Sequence, residues 1–480
     1  MTGATATKTS TLKRRTPRGD DGNRKITWEE LELHDNEESC WISIEGGVYD
    51  VTEWINNHPG GKGAIVNVGG REVTDMVIQY HIESAWKNRC KSMWVGELET
   101  RVVHKAGSEE FAEGCRTLEK KLQTEGRYHV SRSFYTQKFL QVLGLFVAAW
   151  LCVVLGHQHD LVGLQLVGGA VIGLFWQQVN FLGHDAGHGT VFFQDRNLNS
   201  TFGLLVGNIL TGLSIDWWKL SHYTHHVCTN VHTIDADIQH LPIFAISTKF
   251  FTSAGLSSGQ TEANAFYWNM CKFIVGFQPY LYYPVMSVAR VNLHIQSIVH
   301  ALTYEKVKNR AAEVAGLVLF WGWWIYMLSF LPTWPTMLCF WYLSHLVVGL
   351  IHVQICVSHF MMECFDSVPM QREDESVFEF QLRTTLDVDC PEWLDWFHGG
   401  LQFQALHHMF PRLPRHRLRS VQPLVQELCD KHGINYHRYD FVTANVMTIK
   451  HMNDVAIASH NGRVSLVENS LIFHGFNCIG

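Results

Sequence analysis

The sequence has 480 residues and a net charge of −7, with 46% hydrophobic residues and only 17% charged ones. This negative balance argues against a nucleic-acid partner, and the charged fraction is low for a soluble enzyme. The 12 cysteines form no Cys-x-x-Cys pair, which argues against a disulfide framework. The 28 histidines are the outlying feature of the composition.

Residues 1–25 contain seven basic side chains and no apolar run. A signal peptide needs an apolar stretch, so this segment is predicted to be a disordered tail. A transit peptide is the alternative, which Asp20, Asp21 and the missing amphipathic pattern disfavour.

Residues 26–98 are of mixed polarity and contain no membrane-length run. They include the motif His58-Pro-Gly-Gly61 and a second histidine, His81. With this motif the whole stretch resembles cytochrome b5, a small α+β domain. The resemblance implies a haem b with His58 and His81 as its two axial ligands, which leaves no open iron position and suits electron transfer. Pro59 and the glycines are expected to form a tight turn that lets the backbone approach the porphyrin.

A basic linker at residues 99–137 is predicted to include an amphipathic helix, and four apolar runs follow it. The runs are long enough to cross a bilayer and lie at Phe139–Gly156, Leu161–Leu182, Val314–Leu331 and Thr336–Val357. Short turns without Lys or Arg join them in pairs, so they are predicted to form two transmembrane hairpins. The basic linker places its side of the membrane in the cytosol, to which both hairpins return.

Residues 138–445 are predicted to form an all-α integral membrane domain with about four transmembrane helices and a cytosolic helical cap. The apolar stretch 201–214 is too short to cross and is expected to form an interfacial or buried helix. Gln177 and Gln178, inside the second run, are expected to face protein rather than lipid. Residues 446–480 are predicted to be a C-terminal tail.

Three histidine clusters lie at the edges of the apolar stretches, on the cytosolic side. On a helix, residues i, i+3 and i+4 share a face, so each cluster can direct several side chains at one point. Neutral imidazole is a good ligand for iron, zinc and copper. His359, just past the last apolar run, is also a candidate ligand. His352 lies inside that run and could equally be a hydrogen-bonded core histidine. The candidate metal ligands are His184, His188, His222, His225, His226, His359, Gln404, His407 and His408.

This ligand set exceeds what one metal needs, so two metals are expected. It is nearly free of carboxylates, unlike soluble di-iron bundles, in which Glu predominates. A tethered haem domain would supply electrons at high effective concentration. Redox metals, an electron donor and a membrane setting together indicate oxygen activation against a lipid C–H bond.

The clusters match the boxes H-x(3)-H, H-x(2)-H-H and Q-x(2)-H-H at residues 184–188, 222–226 and 404–408. Over roughly residues 26–445 the chain resembles the front-end membrane desaturases with a fused N-terminal cytochrome b5 domain. The resemblance implies two iron ions, no catalytic residues beyond the metal ligands, and O2 as co-substrate while a lipid gains a double bond. It also implies electrons from NADH through cytochrome b5 reductase, and an endoplasmic reticulum membrane protein with both termini in the cytosol.

The favoured reaction is desaturation at Δ8 of a sphingolipid long-chain base, and the expected lipid partner is a sphingoid base, ceramide or acyl lipid. A related front-end fatty-acyl desaturase, Δ6 or another Δ5 or Δ8 type, is the alternative. The sequence departs from the plant pattern at Gly189, Ser358 and Ala405-Leu406, none of which is a candidate ligand. The segments that look most like plant-type Δ8 sphingolipid long-chain-base desaturases are Trp217-Trp-Lys219, Asp235-Ala-Asp-Ile-Gln-His240, Tyr282-Tyr-Pro-Val-Met286, Arg290-Val-Asn-Leu293 and Gly399-Gly-Leu-Gln-Phe-Gln404.

Two more distant classes remain as alternatives. A membrane lipid hydroxylase uses similar histidine boxes, although Gln404 and the fused haem domain favour desaturation. A histidine-rich metal transporter would carry its ligands near the bilayer midplane and would leave His58-Pro-Gly-Gly61 without a role.

Overall fold

The computed structural model describes residues 24–100, 107–192, 195–251, 262–368 and 375–459. Most of the predicted N-terminal tail, residues 1–23, and the end of the predicted C-terminal tail, residues 460–480, lie outside the described residues.

Strands occur mainly in the first hundred residues. The first six form one sheet in the order β1-β6-β4-β3-β2, with β5 also paired to β3, and β7 and β8 form a separate parallel pair. In the described residues the strands are β1 (Lys25–Ile26), β2 (Asp35–Asn36), β3 (Ser39–Ile44), β4 (Gly47–Asp50), β5 (Arg71–Glu72), β6 (Trp94–Leu98), β7 (Asp387–Asp389) and β8 (Arg438–Asp440).

Helices make up most of the rest of the described chain. They are α1 (Trp28–Glu32), α2 (Gly63–Val66), α3 (Thr74–Tyr80), α4 (Glu83–Cys90), α5 (Ser108–Thr124), α6 (Arg132–Gln158), α7 (Val162–Gly187), α8 (Arg196–Leu204), α9 (Ile215–Val227), α10 (Glu262–Val275), α11 (Gln278–Met286), α12 (Arg290–Thr303), α13 (Arg310–Leu328), α14 (Trp334–Cys356), α15 (Val377–Thr384), α16 (Asp395–His398), α17 (Gln404–Met409), α18 (Arg415–His432) and α19 (Phe441–Ser459).

The N-terminal region is a small α+β domain, as predicted. One of its cores contains Ile26, Trp28 and Leu31 beside strand residues Trp41 and Val48. Its two motif histidines lie where helices end: a 3₁₀ turn ends at His58, and α3 ends at His81. Both residues have extended backbone, so each histidine follows directly on a rigid element.

Among the described residues, four helices, α6, α7, α13 and α14, are long and apolar enough to cross a membrane. They lie where the sequence predicts the two hairpins, so the predicted fold class is confirmed. Helix α7 packs against both α6 and α14. A side chain at Gly173 of α7 would bring its Cβ within 2.4 Å of the Ser344 carbonyl oxygen of α14, so a residue without a side chain permits this close approach.

The polar side chains inside α7 face protein, which confirms that prediction. The Gln177 amide donates to Gln354 Oε1 and to the Phe397 carbonyl, each at 3.2 Å. The Gln178 amide donates to the Trp396 carbonyl at 3.0 Å. These bonds satisfy amides at membrane depth and join α7 to α16.

The apolar stretch 201–214 is largely buried, and it leads into α9. The end of α8 passes into a π turn at Leu205–Ile209. The buried Glu313 of α13 accepts hydrogen bonds from Asn208 at 2.6 Å and from Ser214 at 2.7 Å. Ser214 also caps α9 by accepting from the Trp217 N–H. This network fixes the start of the helix that carries the second histidine cluster.

The predicted amphipathic helix of the linker is α5, whose buried Phe111, Cys115 and Leu122 pack against α15 and α18. At the other end of the chain, α19 packs against α11 and buries Ile449 and Met452. The segment after residue 445, predicted to be a tail, therefore begins as a packed helix.

Candidate metal centre

Four histidines from all three clusters meet in one group. His184 and His188 end α7, His222 lies on α9, and His407 lies on α17. One ligand atom from each lies within 4.8 Å of those of the others. The three sequence clusters are therefore brought together on one side of the helix bundle.

The spacing of the ring nitrogens in this group suits metal ligands. The Nε2 atoms of His188 and His222 are 2.9 Å apart, and His226 Nε2 lies 3.0 Å from His222 Nε2 and 3.1 Å from His407 Nε2. A neutral imidazole has only one N–H, so several converging nitrogens cannot all be paired with each other. Neighbouring ligands at right angles on a metal, with bonds of about 2.1 Å, lie roughly 3 Å apart.

A second group consists of His225, His359 and His408, whose ligand atoms also lie within 4.8 Å of one another. His359 Nδ1 lies 3.2 Å from the Thr384 carbonyl, and His408 Nδ1 lies 2.9 Å from Gln381 Oε1. The Nε2 atoms of both rings are buried without a hydrogen-bond partner among the described residues. Imidazoles fixed at Nδ1 with a free Nε2 are typical of metal ligands.

His225 is fixed by a carboxylate. Its Nδ1 lies 2.9 Å from Asp235 Oδ1 and 3.8 Å from Asp237. Burial alone would lower the pKa of His225, but the two carboxylates outweigh it and raise that pKa to about 9. Asp235 is itself held by the backbone N–H groups of Asn230 and Asp237. The pair sets the ring orientation of a candidate ligand.

Five other imidazoles in or beside the two groups are held neutral by burial. Burial, helped by neighbouring imidazolium charge, lowers the pKa of His222, His226, His407 and His408 well below the usual range. Burial likewise lowers the pKa of His359 to about 3. Neutral imidazole offers the lone pair that a metal needs, so the protonation states of these five histidines suit metal binding.

His226 joins the two groups. Its ring stacks on His408 with centroids 4.2 Å apart, while its Nε2 lies among the nitrogens of the first group. Both groups can therefore hold metal ions that are close neighbours.

Contacts between elements hold the clusters in register. Arg415 of α18 forms a buried ion pair with Asp185 of the first cluster, at 2.8 Å. Trp218 stacks on His222 with centroids 4.3 Å apart. A Cβ at Gly187 would lie 2.1 Å from that indole, so glycine is required where α7 and α9 meet.

Two sequence candidates have different surroundings. Gln404 is buried as the first residue of α17, but no hydrogen bond joins its side chain to a cluster histidine in the described part of the chain. His352 Nε2 is buried without a partner among those residues and lies in neither group. His345 is a hydrogen-bonded core histidine, since its Nδ1 lies 2.8 Å from the Trp341 carbonyl.

The two histidines of the N-terminal domain face each other, with ring centroids 6.0 Å apart. His58 Nδ1 lies 3.2 Å from the Gly61 carbonyl, and His81 Nδ1 lies 3.2 Å from the Val77 carbonyl. Burial lowers the pKa of His81 to about 4, so its imidazole is neutral. Two neutral rings with their Nδ1 atoms occupied fit a haem iron between them, with Fe–N bonds of about 2 Å.

The glycines after His58 have protein neighbours on α9. A Cβ at Gly61 would lie 2.5 Å from Leu220, and one at Gly63 would lie 2.7 Å from Thr224. Gly61 also has a positive φ of 89°. The tight turn is therefore present, and these two glycines let the backbone approach another helix of the same chain.

Sequence reasoning missed the residues that orient the ligands. All three lie outside the histidine boxes: Asp235 is in the loop after α9, and Gln381 and Thr384 are on α15. The polar residues after the second cluster are evident in the sequence, but their spacing does not predict which of them pairs with His225.

Comparison with known families identifies the larger part of the chain. The fatty acid desaturase family matches residues 161–440, and the cytochrome b5-like heme/steroid binding domain matches residues 27–99. The first match alone covers more than half of the sequence. The chain belongs to the fatty acid desaturase family. The desaturase thus carries a haem domain at its N-terminal side, and both resemblances predicted from the sequence are confirmed.

Several relatives align along the desaturase. It is 38% identical to Delta(8)-fatty-acid desaturase 2 of Arabidopsis thaliana, over 93% of this chain and 97% of that one. It is 36% identical to the acyl-lipid (9-3)-desaturase of Borago officinalis, over 92% and 96%. It is 38% identical to the Delta 8-(E)-sphingolipid desaturase of Emericella nidulans, over 71% of this chain and 62% of that one. These relationships confirm an oxidoreductase of the front-end lipid desaturase type.

Proposed function

We propose that the desaturase introduces a double bond at Δ8 of a sphingolipid long-chain base, with two iron ions bound by the two histidine groups. The observation that carries this proposal is the convergence of eight histidines into adjoining groups whose nitrogens have the spacing of metal ligands. The histidines are His184, His188, His222, His225, His226, His359, His407 and His408. Gln404 is proposed as a further ligand or as a group that orients one.

Iron bound there would supply the oxidising power that removal of hydrogen from an unactivated C–H bond requires, with O2 as the proposed co-substrate. The protein's part is to hold the ligands. Asp235, Gln381 and Thr384 orient three imidazoles, and burial keeps most of the others neutral. The same burial would exclude water from most of the metal ligands, which would protect a strong oxidant from side reactions.

The substrate proposal rests on the relatives. Proteins named as Δ8 desaturases from plants and as Δ8-(E)-sphingolipid desaturases from fungi both align with this chain. A second candidate is a fatty-acyl chain of an acyl lipid, because the acyl-lipid (9-3)-desaturase of Borago officinalis aligns over nearly the same length with similar identity.

Partners and location follow from the same proposal. Electrons would come from NADH through cytochrome b5 reductase to the haem between His58 and His81. The proposed location is the endoplasmic reticulum membrane, with both termini in the cytosol. The proposed haem domain is residues 26–98, the linker 99–137 and the desaturase domain 138–445.

Expression in yeast, with profiling of long-chain bases and fatty acids, tests the proposed function. We expect a new double bond at Δ8 of the long-chain bases, absent from cells that make the His407→Ala variant. A new double bond only in fatty acids would favour the second candidate. A new hydroxyl group would identify a hydroxylase, and metal-dependent growth without any lipid change would favour a transporter.

A further inference from the structure

The haem domain contacts the desaturase domain beside the histidine groups. Arg412 follows the third cluster, and its guanidinium reaches the end of α3, the helix that leads to His81. Its Nε donates to the Gln79 carbonyl at 2.8 Å, and one Nη donates to the Ile78 carbonyl at 3.0 Å. A planar guanidinium can serve two adjacent carbonyls in this way because its donors have a fixed geometry.

A second arginine holds the other end of α3. Arg116 of α5 donates to both carboxylate oxygens of Asp75, at 2.7 and 2.9 Å. Helix α5 itself packs against α15 and α18 of the desaturase domain. The short helix before His81 is therefore fixed at both ends by residues from outside the haem domain.

Tyr80, which precedes His81, touches a candidate iron ligand. Its ring lies edge-on to His226, with centroids 6.1 Å apart. Its hydroxyl oxygen is buried without a hydrogen-bond partner among the described residues. The aromatic ring, rather than the hydroxyl, is what this tyrosine presents to the histidine group.

The other axial ligand has a matching contact. A Cβ at Gly60, two residues after His58, would lie 3.6 Å from the ring of Tyr223. The Tyr223 hydroxyl donates to the Gly187 carbonyl at 2.5 Å, and its ring centroid lies 5.9 Å from that of His188. Each haem-ligand segment thus reaches a histidine of the candidate metal centre through one tyrosine.

We propose that Arg412 is a positioning residue that holds the haem domain in its electron-delivery pose, and that Tyr80 provides the contact through which electrons reach the iron centre. This inference rests on the proposed function. In each transfer a ferrous haem held by His58 and His81 would give up one electron and become ferric, and one ferric ion held by the histidine groups would accept that electron and become ferrous. No bond to Tyr80 forms or breaks, because the ring only fills the space that the electron crosses.

The test uses the full-length protein loaded with haem and iron. The haem is photoreduced under argon, and the absorbance at the haem bands follows its reoxidation as the electron moves to the ferric centre. Iron-free protein gives the background rate. This readout requires neither substrate nor O2, so it is independent of which lipid is desaturated.

Arg412→Lys is the first variant, because it keeps a positive charge beside the buried Glu119 while losing the forked donation to two carbonyls. We expect haem reoxidation to slow about tenfold. Losing roughly one charge-assisted hydrogen bond would weaken docking of the haem domain on the desaturase domain by about that factor. The haem spectrum and iron content are expected to stay unchanged. Arg127→Lys, in an exposed ion pair, is the matched control and should react at the wild-type rate.

Hydrogen exchange gives a second readout of Arg412→Lys. Peptides that cover residues 58–66 and 74–81 should exchange faster, since these segments make the contacts that docking protects. Unchanged exchange together with a wild-type reoxidation rate would overturn the role of Arg412.

Substitutions at Tyr80 separate the ring from the hydroxyl. Tyr80→Phe keeps the ring and should retain the wild-type reoxidation rate, whereas Tyr80→Leu should slow it several-fold with an unchanged haem spectrum. Equal rates in wild type and Tyr80→Leu would overturn the proposed contact.

If yeast lipids gain the double bond but these rates do not change, this inference fails and the proposed function stands. If no double bond forms, the proposed function fails, while the exchange data still report whether the domains dock.

Discussion

At the scale of single residues, the metal centre depends on what lies behind each imidazole. His225 has a buried carboxylate at Nδ1, and His359 and His408 have a carbonyl and an amide oxygen at the same position. Each of these contacts selects the tautomer that leaves Nε2 free and limits rotation of the ring. Rings held in this way lose little entropy when a metal binds.

Asp235→Asn tests this arrangement at His225. Asparagine keeps the shape of the side chain but removes the charge, so we expect iron affinity to fall about 10- to 100-fold, as for other groups that orient metal ligands. Iron retained during dialysis against a graded series of chelator concentrations measures the change. Asp366→Asn, at a largely exposed carboxylate, serves as the control. If Asp235→Asn retained iron as well as the wild type, the Asp235 carboxylate would have no role in orienting a metal ligand.

Gln404 makes no hydrogen bond to a cluster histidine in the described part of the chain, so its role as a ligand stays a prediction. Gln404→Ala is expected to lower both iron content and desaturation, because it removes either a ligand or a group that orients one. Gln404→His keeps a donor nitrogen and should retain part of the iron while still disturbing activity. Full iron and full activity in Gln404→Ala would exclude Gln404 from the site.

His58→Ala tests the haem assignment. The variant full-length protein should lose its haem spectrum and its desaturation, because the internal electron donor is gone, while the non-haem iron remains. Optical spectra and iron analysis of the same sample separate the two effects. An unchanged haem spectrum would refute His58 as an axial ligand.

At the scale of elements, the third cluster depends on a buried carboxylate in β7. Asp387 accepts from the Ala405 N–H at 2.9 Å and from the Gln422 amide at 2.7 Å, and the Tyr436 hydroxyl also donates to it. One side chain therefore joins the start of α17 to α18 and to the segment before β8. Without it, three buried donors would compete for partners.

Asp387→Ala should destabilise the cap by about 1–3 kcal/mol for each donor left unsatisfied. We expect a lower thermal unfolding temperature and loss of iron on heating, because α17 carries His407 and His408. Asp389→Ala, in the same strand but half exposed and paired with Arg438, should change the unfolding temperature little. Equal effects of the two substitutions would contradict the role assigned to Asp387.

The elements that the sequence predicted are those with strong local signals. Apolar length predicted the four membrane helices, and the spacing of His222, His225 and His226 predicted one helix face. Asp235 could not be predicted, because a loop residue pairs with His225 through the folded path of the chain rather than through periodicity. The packing of Gly61 on α9 could not be predicted either, because the haem motif already accounts for a glycine at that position.

At the scale of the whole molecule, the chain places the cytochrome b5-like domain in contact with the part of the chain that carries the histidine groups. The haem domain and the cap share a hydrophobic core that includes Ile65 and Met76 on one side and Val227 and Leu406 on the other. Such a contact would keep the distance between the two proposed redox sites short, whereas a flexible tether alone would only raise the local concentration of the donor.

The central claim is that two neighbouring iron ions occupy the histidine groups. Mössbauer spectroscopy of the purified protein, grown with enriched iron and calibrated by total iron and haem analysis, tests it most directly. We predict two non-haem iron atoms per chain that are magnetically coupled, and the loss of this coupled signal in His226→Ala. A single uncoupled non-haem iron per chain, or a coupled pair that His226→Ala leaves intact, would contradict the account.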